Sequence, residues 1–199
     1  FATDISYESL LSAKSIMKNL GYKKIPILVC CDAYNLPFKD NSFPFIFCFQ
    51  TLHHFPNPKP VIKEIYRVLA PGGYFYFGEE PIKQTFNLNL WRRDYNLRWW
   101  ENILKYIGVL PFISTIGRSE VKEGILEESF DLKTWKNALN IFEELEVIIK
   151  PYPFGPTANT LTPPLYLDWL LRLLGGGIEG LCRKQSKSRP KKYKNILTL

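Results

Sequence analysis

The sequence lacks the patterns that mark a bound metal, an exported protein or a membrane span. Its cysteines have no CxxC spacing, and its two histidines are adjacent rather than spaced as zinc ligands. We therefore expect no metal and a reduced, cytoplasmic protein. The first residues, FATDIS, contain neither the basic region nor the apolar core of a signal peptide. The cysteines are Cys30, Cys31, Cys48 and Cys182.

A long uninterrupted apolar run is also missing. The most apolar late stretch, LYLDWLLRLLGGGIEGLC, is interrupted by Asp168, Arg172 and Glu179. Ionisable side chains are rare inside membrane-spanning helices because the bilayer interior does not solvate them. We therefore predict no transmembrane segment.

Acidic residues are absent between Arg183 and Lys194, a segment with seven lysines and arginines. The net charge of the chain is +7, so the remainder is formally neutral. We predict that residues 183–199 form a basic, disordered tail. Such a tail is compatible with RNA or with peripheral contact at an anionic membrane, but only Tyr193 is available for base stacking. We do not expect a nucleic-acid partner.

What the sequence does contain is a globular composition with alternating strand and helix patterns. It is 46% hydrophobic over 199 residues, which suits one folded domain. The runs IPILVCC and FPFIFCF are typical of strands buried on both faces, and YFYFG predicts another strand. Helices are expected in SYESLLSAKSIMKNLG, from the N-cap Ser6 to Gly21, and in PKPVIKEIYRVLAPGG. This alternation predicts an α/β fold with a doubly wound, mostly parallel sheet.

The first of these helices would carry one apolar stripe. Its members recur at helical spacing and are Leu10, Ala13, Ile16, Met17 and Leu20.

After Pro81 the composition changes to aromatic-rich and then mixed. The segment from Thr85 to Gly108 predicts a helix that packs on the sheet or, alternatively, forms a lid over a greasy or ring-shaped acceptor. Further predicted elements are the helix DLKTWKNALNIFEEL, the strand EVIIKPY, the helix LYLDWLLRLL and an edge strand GIEGLCRK. The aromatic residues of the first segment are Trp91, Tyr95, Trp99, Trp100 and Tyr106. We assign residues 1–81 to the core, 82–182 to helical and carboxyl-terminal parts of the same domain, and 183–199 to the tail.

In a doubly wound sheet, ligands bind beyond the carboxyl ends of the strands. That rule selects Asp4, Asp32, the pair Phe49 and Gln50, and the pair 79–80 (Glu-Glu) as neighbours in one crevice. An acid placed there can accept hydrogen bonds from a ribose diol or an adenine amino group. A single acid at such a position can equally cap a helix.

The ordered set TDIS–YESLLSAK, DAYNLPFKDNSF, LHHF and RVLAPGGYFYFGEEP resembles the class I S-adenosylmethionine-dependent methyltransferases. The nearest likeness is the small-molecule branch with an LPF-x-D-x-S-F element, and it covers residues 1–81. The resemblance implies a Rossmann-like fold, S-adenosylmethionine as cofactor and methyl transfer to oxygen, nitrogen or carbon of a small-molecule acceptor.

The resemblance also implies a role for each matching position. The acid after the second family strand would hold the ribose, the acid after the third would meet the adenine amino group, and the end of the fourth would lie under the methionine moiety. The implied cofactor-binding residues are Asp4, Ile5, Asp32, Ala33, Phe49 and Gln50. His53 and His54 would face the acceptor, where either can act as general base or hold the loop by a structural contact. Glu79 and Glu80 would orient the acceptor or remain solvated loop acids.

The family begins with a strand and a Gly-rich loop that have no counterpart before Phe1. We therefore predict a fragment of a longer protein, with two strand edges facing a gap. The run GGGIEG at residues 175–180 formally fits a Gly-rich loop, but a leucine-rich segment precedes it where a strand is required. We interpret it as a flexible turn into the last strand.

Two other functions stay open. The chain could be a methyltransferase-like partner protein that has lost catalysis. It could also modify nucleic acid, but FCFQTLHH does not resemble the NPPY-like or paired-cysteine motifs of those enzymes.

Overall fold

The computed structural model describes residues 1–83, 99–107, 129–151 and 156–186. Strands and helices alternate as the sequence predicts, which confirms the α/β class. The elements are β1 (Ala2–Asp4), α1 (Tyr7–Asn19), β2 (Leu28–Cys30), β3 (Phe43–Phe49), a 3-10 helix called the 52–54 turn (Leu52–His54), α2 (Pro58–Val68), β4 (Leu69–Ile82), α3 (Trp99–Tyr106), α4 (Leu132–Leu139), β5 (Glu144–Pro151), α5 (Leu165–Leu174) and β6 (Gly176–Arg183).

β1 and β2 form a two-stranded parallel sheet, and α1 contacts both strands. Asp4 is opposite Cys30, so the two strands end at the same edge. The Oγ atom of Ser6 accepts a hydrogen bond from the backbone N–H of Ser9 at 3.1 Å, which confirms the predicted N-cap. Gly21 follows the helix with φ 77°, a conformation that glycine adopts without strain.

The predicted burial of β2 is wrong, and α1 is also largely exposed. Leu10 is the buried residue of α1, whereas Ile16 and Leu20 are 55% and 69% exposed. Leu28 and Val29 of β2 are half-buried, although the sequence pattern predicted burial on both faces. The physical reason is that, within the described ranges, this two-stranded sheet is covered by α1 alone, so the side chains facing away from that contact meet water.

The second sheet has the strand order β3-β4-β6-β5. β3 and β4 are parallel, whereas β6 runs antiparallel to both β4 and β5. The sheet is therefore mixed. The expectation that GIEGLCRK is an edge strand is wrong, because β6 lies between two partners and β5 occupies the edge.

One face of this sheet carries the hydrophobic core, against α2, α4 and α5. Phe75, Phe77 and Ile178 are fully buried there. The Trp135 ring of α4 stacks on Phe77 with ring centroids 5.5 Å apart and an interplanar angle of 4°. Buried residues alternate with more exposed ones along both strands, Phe75 and Phe77 on β4 and Ile178 and Cys182 on β6, so one face of each strand closes the core.

In the described part of the chain, β1 pairs with β2 alone and β3 pairs with β4 alone. Among the described residues, the outer edges of β1 and β3 thus have no strand neighbour, as the resemblance to the family led us to expect. That the chain is a fragment of a longer protein stays a prediction.

The GGGIEG run is mostly strand rather than a flexible turn. Gly175 ends α5 with φ 73°, and β6 begins at the next residue. A Cβ atom at Gly176 would lie 2.7 Å from the carbonyl oxygen of Lys150, and one at Gly180 would lie 2.7 Å from the Phe77 ring. Close packing between strands therefore requires glycine at these positions.

The predicted boundary of the basic tail also shifts. Arg183 is the last residue of β6 and pairs with Glu144 at 3.2 Å. The Lys184 ammonium donates to the carbonyl oxygens of Tyr66 and Leu69 at 2.6 and 2.7 Å. The first two basic residues therefore belong to the folded part, and residues 187–199 lie outside the described residues.

The aromatic segment is described only in part. Trp91 and Tyr95 lie outside the described residues. In α3, Trp99 is 75% exposed and Tyr106 is 92% exposed. Contrary to the expectation of packing, these two side chains do not pack on the sheet. None of the helices in the described ranges is long and apolar enough to cross a bilayer.

Candidate cofactor and catalytic site

Asp4 and Asp32 lie at the carboxyl ends of the neighbouring strands β1 and β2. The backbone N–H of Cys31 donates to the Asp4 carbonyl at 2.9 Å, which holds the two strand ends together. Each carboxylate also accepts a hydrogen bond from the backbone N–H two residues later, at Ser6 (2.8 Å) and Tyr34 (2.9 Å). These local turns fix each side chain at an exposed strand end, and the structure thereby brings the two predicted acids together.

Ile5 and Ala33 follow these acids directly. Ile5 is 74% exposed, whereas Ala33 is half-buried and packs against the core. Ile5 therefore offers an exposed apolar surface beside one acid, and Ala33 anchors the second acid to the four-stranded sheet.

Gln50 and Glu79 form a hydrogen-bonded pair. Gln50 directly follows β3, and Glu79 lies within β4. Both residues have left-handed backbone conformations, with φ 48° and 52°. The Gln50 amide nitrogen donates to the Glu79 carboxylate at 3.1 Å, and the Gln50 backbone N–H donates to the Gly78 carbonyl at 2.9 Å. Side chains other than glycine, asparagine and aspartate seldom adopt this conformation, and such strain tends to occur at functional sites.

Phe49 is 52% exposed beside this pair. A Cβ atom at Gly78 would lie 2.9 Å from both the Phe49 ring and the Tyr76 hydroxyl oxygen. The glycine therefore lets the Phe49 ring approach the β4 backbone closely, next to Gln50.

Glu80 is fully buried and faces the 52–54 turn. Its Oε1 atom accepts from the backbone N–H groups of Thr51 and Leu52 at 2.8 and 2.9 Å. Its Oε2 atom accepts from the backbone N–H of His53 at 3.0 Å and lies 2.9 Å from the Nδ1 atom of the same residue. The expectation that Glu80 orients an acceptor is wrong, because all these contacts are inside the protein.

His53 is 6% exposed, and His54 is half-buried beside it. Their ring centroids are 4.2 Å apart with the planes tilted by 50°. The two histidines differ in environment, because His53 is held by a buried carboxylate and His54 is the more accessible ring.

The LPF-x-D element serves a structural purpose. The Arg67 guanidinium of α2 donates to the carbonyl oxygens of Leu36 and Phe38 at 3.0 and 2.8 Å and to the Asp40 carboxylate at 2.6 Å. Glu64 accepts from Arg67 Nε at 2.9 Å and from the Leu36 N–H at 2.8 Å. We call this set the Arg67 clamp; it fixes the loop after Asp32 to α2.

The hydrogen bonds from Arg67 lower the pKa of Glu64, the largest of the influences on that carboxyl group. The sequence reasoning missed this clamp and the inward direction of Glu80. The spacing of Glu64 and Arg67, three residues apart on a predicted helix, was an available signal for the first. No sequence signal distinguishes Glu80 from Glu79.

The predicted site residues thus form two groups. Asp4, Ile5, Asp32 and Ala33 lie on the two-stranded sheet, and the remaining ones lie on the four-stranded sheet. The loops of both groups meet where the Tyr34 ring packs edge-on against the Phe55 ring, with centroids 5.4 Å apart. The carboxyl ends of β2 and β3 therefore open on the same side of the protein.

Comparison with known proteins finds a family match for the first part of the chain. Residues 1–77 match the family model described as a methyltransferase domain. The chain is 35% identical over 123 residues to the malonyl-acyl-carrier-protein O-methyltransferase of Marinomonas sp. (strain MWYL1), covering 60% of this chain and 43% of that protein. It is 39% identical over 57 residues to the sterol 4-C-methyltransferase strm-1 of Caenorhabditis elegans, covering 29% of this chain and 17% of that protein.

A third curated relative is the phthiotriol/phenolphthiotriol dimycocerosates methyltransferase of Mycobacterium tuberculosis (strain H37Rv). It is 35% identical over 63 residues, which cover 32% of this chain and 23% of that protein. The chain spans less than half the length of each of these three relatives.

Solved structures share the fold. A SAM-dependent methyltransferase of Methanosarcina mazei superposes with a TM-score of 0.53 at 20% identity, over 93% of this chain and 81% of that one. The 4+2 cyclase SpnF superposes with a TM-score of 0.53 at 17% identity, over 92% of this chain and 66% of that one. Residues 1–77 therefore match the methyltransferase domain family, and the described fold is that of the class I, S-adenosylmethionine-dependent methyltransferases.

Proposed function

We propose that this chain binds S-adenosylmethionine at the carboxyl ends of β1 to β4 and transfers the methyl group to a small-molecule acceptor. One observation carries the proposal. Within the part that matches the methyltransferase domain, the acids Asp4 and Asp32 stand side by side at neighbouring strand ends.

The residues present fit the cofactor. A nucleoside offers hydroxyl and amino hydrogens, and carboxylates are acceptors with about four lone-pair sites each. Asp4 would take the ribose hydroxyls and Asp32 the adenine amino group. In both residues the Oδ1 atom already holds a backbone turn, so the carboxylate is positioned before a ligand arrives. Ile5 and Ala33 would line the adenine side, and Phe49 and Gln50 would lie by the methionine moiety.

S-adenosylmethionine supplies an electrophilic methyl group when it is bound. The protein's task is then to orient the acceptor, to exclude water and, for a hydroxyl acceptor, to take up a proton. We propose His53 and His54 for the proton, because histidine titrates near neutral pH and both rings lie on the turn that follows β3.

For the acceptor we propose a hydrophobic molecule that carries a hydroxyl group. Two of the relatives are named for sterol and dimycocerosate substrates, and a third is named as an O-methyltransferase, which favours oxygen as the methylated atom. In this chain, α3 and the residue after it expose apolar side chains on one face, namely Trp99, Ile103, Tyr106 and Ile107. Such a face could cover a greasy acceptor, in agreement with the lid alternative for this segment.

The experiment that tests this function is isothermal titration of the protein with S-adenosylhomocysteine. Asp4→Asn and Asp32→Asn keep an oxygen for the backbone turn but remove the charge. Each is expected to weaken binding about 10- to 100-fold, because a hydrogen bond to a charged group contributes about 1.5–3 kcal/mol. The matched control is Asp168→Asn, which breaks an exposed pair with Arg172 on α5 and should leave affinity unchanged.

A catalytically inactive partner protein is the second candidate. It is favoured by the sparse packing of the two-stranded sheet, where α1 leaves Ile16 and Leu20 exposed although both cofactor acids lie there. The cyclase that shares the fold also illustrates that a fold does not fix a reaction. Absence of S-adenosylhomocysteine binding in the wild-type protein would favour this candidate.

A further inference from the structure

We infer that Glu80 is a positioning residue that holds His53 in one tautomer and one orientation. The role of His53 toward an acceptor rests on the proposed function, whereas the arrangement of the two side chains stands on the structure alone.

A β-bulge aims Glu80 at the 52–54 turn. Phe77 is opposite Gly180 on β6, whereas Glu80 is opposite Ile178, so residues 78 and 79 of β4 face the single residue Glu179 of β6. The left-handed Glu79 lies in this bulge. In a regular strand the core-facing positions after Phe77 would be 79 and 81. Because of the bulge, the side chain of residue 80 rather than that of residue 79 faces the core. Bulges near active sites commonly redirect a side chain in this way.

The buried carboxylate meets four N–H groups, three from the backbone of residues 51–53 and one from the His53 ring. An ionised carboxylate offers about four lone-pair sites, so the donor set matches its capacity. Glu80 therefore both orders the turn and fixes the ring that the turn carries.

The tautomer follows from the chemistry of the partner. A carboxylate only accepts, so the Nδ1 atom of His53, 2.9 Å from Glu80 Oε2, must donate its hydrogen. In neutral imidazole the lone pair is then on Nε2. In the proposed reaction the acceptor O–H bond breaks, its proton passes to Nε2, and the acceptor oxygen forms the new bond to the methyl carbon. The electron pair of the old sulfur–methyl bond stays on sulfur.

Two thiols lie on the same side of the sheet and titrate well above neutral pH. Burial raises the pKa of Cys48 well above its ordinary value, and the Glu80 carboxylate raises it further. Burial likewise raises the pKa of Cys182 to about 12. Both thiols are therefore neutral near pH 7 and do not compete with His53 for a proton.

The first test is nuclear magnetic resonance of the imidazole nitrogens in uniformly 15N-labelled protein. The chain has only two histidines, so the variant His54→Gln assigns both rings. We expect His53 with hydrogen on Nδ1 in the wild type. Glu80→Gln, which presents an N–H group in place of one oxygen, should populate the Nε2–H form, whereas the matched control Glu79→Gln should not. An Nε2–H tautomer in the wild type overturns the inference, even if Glu80→Gln fails to fold.

The second test separates positioning for catalysis from a purely structural role. The probes are a long-chain alkylphenol and its nitro-substituted analogue, which is already ionised at the assay pH. With the alkylphenol, kcat of Glu80→Gln is expected to fall at least about 100-fold, as for loss of a general base, and with the ionised analogue less than about tenfold. Equal losses with both probes overturn the catalytic part of the inference.

The outcomes distinguish this inference from the proposed function. If the wild type binds no S-adenosylhomocysteine, or binds it but methylates neither probe, the proposed cofactor or acceptor class is wrong while the tautomer still decides the role of Glu80. If the wild type is active but its His53 tautomer does not depend on Glu80, the proposed function stands and the positioning role fails.

Discussion

The two sheets differ in the number of layers that cover them. The four-stranded sheet packs one face against α2, α4 and α5 and encloses a core that includes Phe75, Phe77 and Trp135. The two-stranded sheet with α1 buries Leu10 and leaves Ile16 and Leu20 in water. Hydrophobic stabilisation scales with the apolar area removed from water, so the first sheet holds most of the stability.

This difference divides the candidate site. The acids proposed for the nucleoside lie on the sparsely packed sheet, whereas Glu80 and the histidine turn lie on the well-packed one. A site of this kind has a rigid half, which can fix a reacting group, and a half that a ligand can order on binding. The contacts of Tyr34 with Phe55 and of the Arg67 clamp with the loop 36–40 connect the halves.

The largest expected effect is a difference in amide hydrogen exchange. Amides of β4 and β6 should exchange only through global unfolding, which costs about 5–15 kcal/mol in folded domains, and those of β1 and β2 through local opening at a small fraction of that cost. Native-state exchange read by mass spectrometry measures both. Saturating S-adenosylhomocysteine should slow exchange in β1 and β2. Equal protection of both sheets without ligand would contradict the comparison.

The second largest expected effect is the loss of unfolding free energy when a core side chain is truncated. Trp135→Ala removes a fully buried ring stacked on Phe77 and should lower the free energy of unfolding by about 3–5 kcal/mol. Trp135→Phe is the matched control and should cost less, because it keeps a ring and removes an indole N–H that has no hydrogen-bond partner among the described residues. Urea denaturation gives both values, and a larger loss for Leu10→Ala than for Trp135→Ala would reverse the comparison.

The smallest effect concerns the clamp that joins the halves. The folded-state pKa of Glu64 lies below its unfolded value of about 4.3, so the clamp stabilises fully above that pH and loses its contribution as pH falls through the folded pKa. The melting temperature of the wild type should therefore fall more steeply below about pH 4.3 than that of Glu64→Gln.

Hydrogen bonds at the start of α4 also lower the pKa of Asp131. This residue is present in both the wild type and Glu64→Gln, so its titration affects the two melting curves equally. The difference between the two melting curves therefore isolates Glu64. Parallel curves would show that solvent screens the clamp completely.

Much of the fold and part of the site could be predicted from the sequence. The N-cap Ser6, the bounds of α5 and the positions of Asp4 and Asp32 follow from local rules, because caps, helical periodicity and strand ends depend on neighbours in the chain. The burial of α1 could not be predicted, because an apolar stripe shows only which face prefers to pack. Whether a layer covers that face depends on distant elements.

The sequence by itself determined the α/β class, the match of residues 1–77 to a methyltransferase domain and the types of side chain at the strand ends. Only the tertiary structure decided that β6 lies inside the sheet, that GGGIEG belongs to a strand, and that Glu79 and Glu80 point in opposite directions. The physical reason is that strand order, close backbone approach and a bulge are set by pairing between segments far apart in the chain. Two identical residues in succession carry no local signal of which one meets the core.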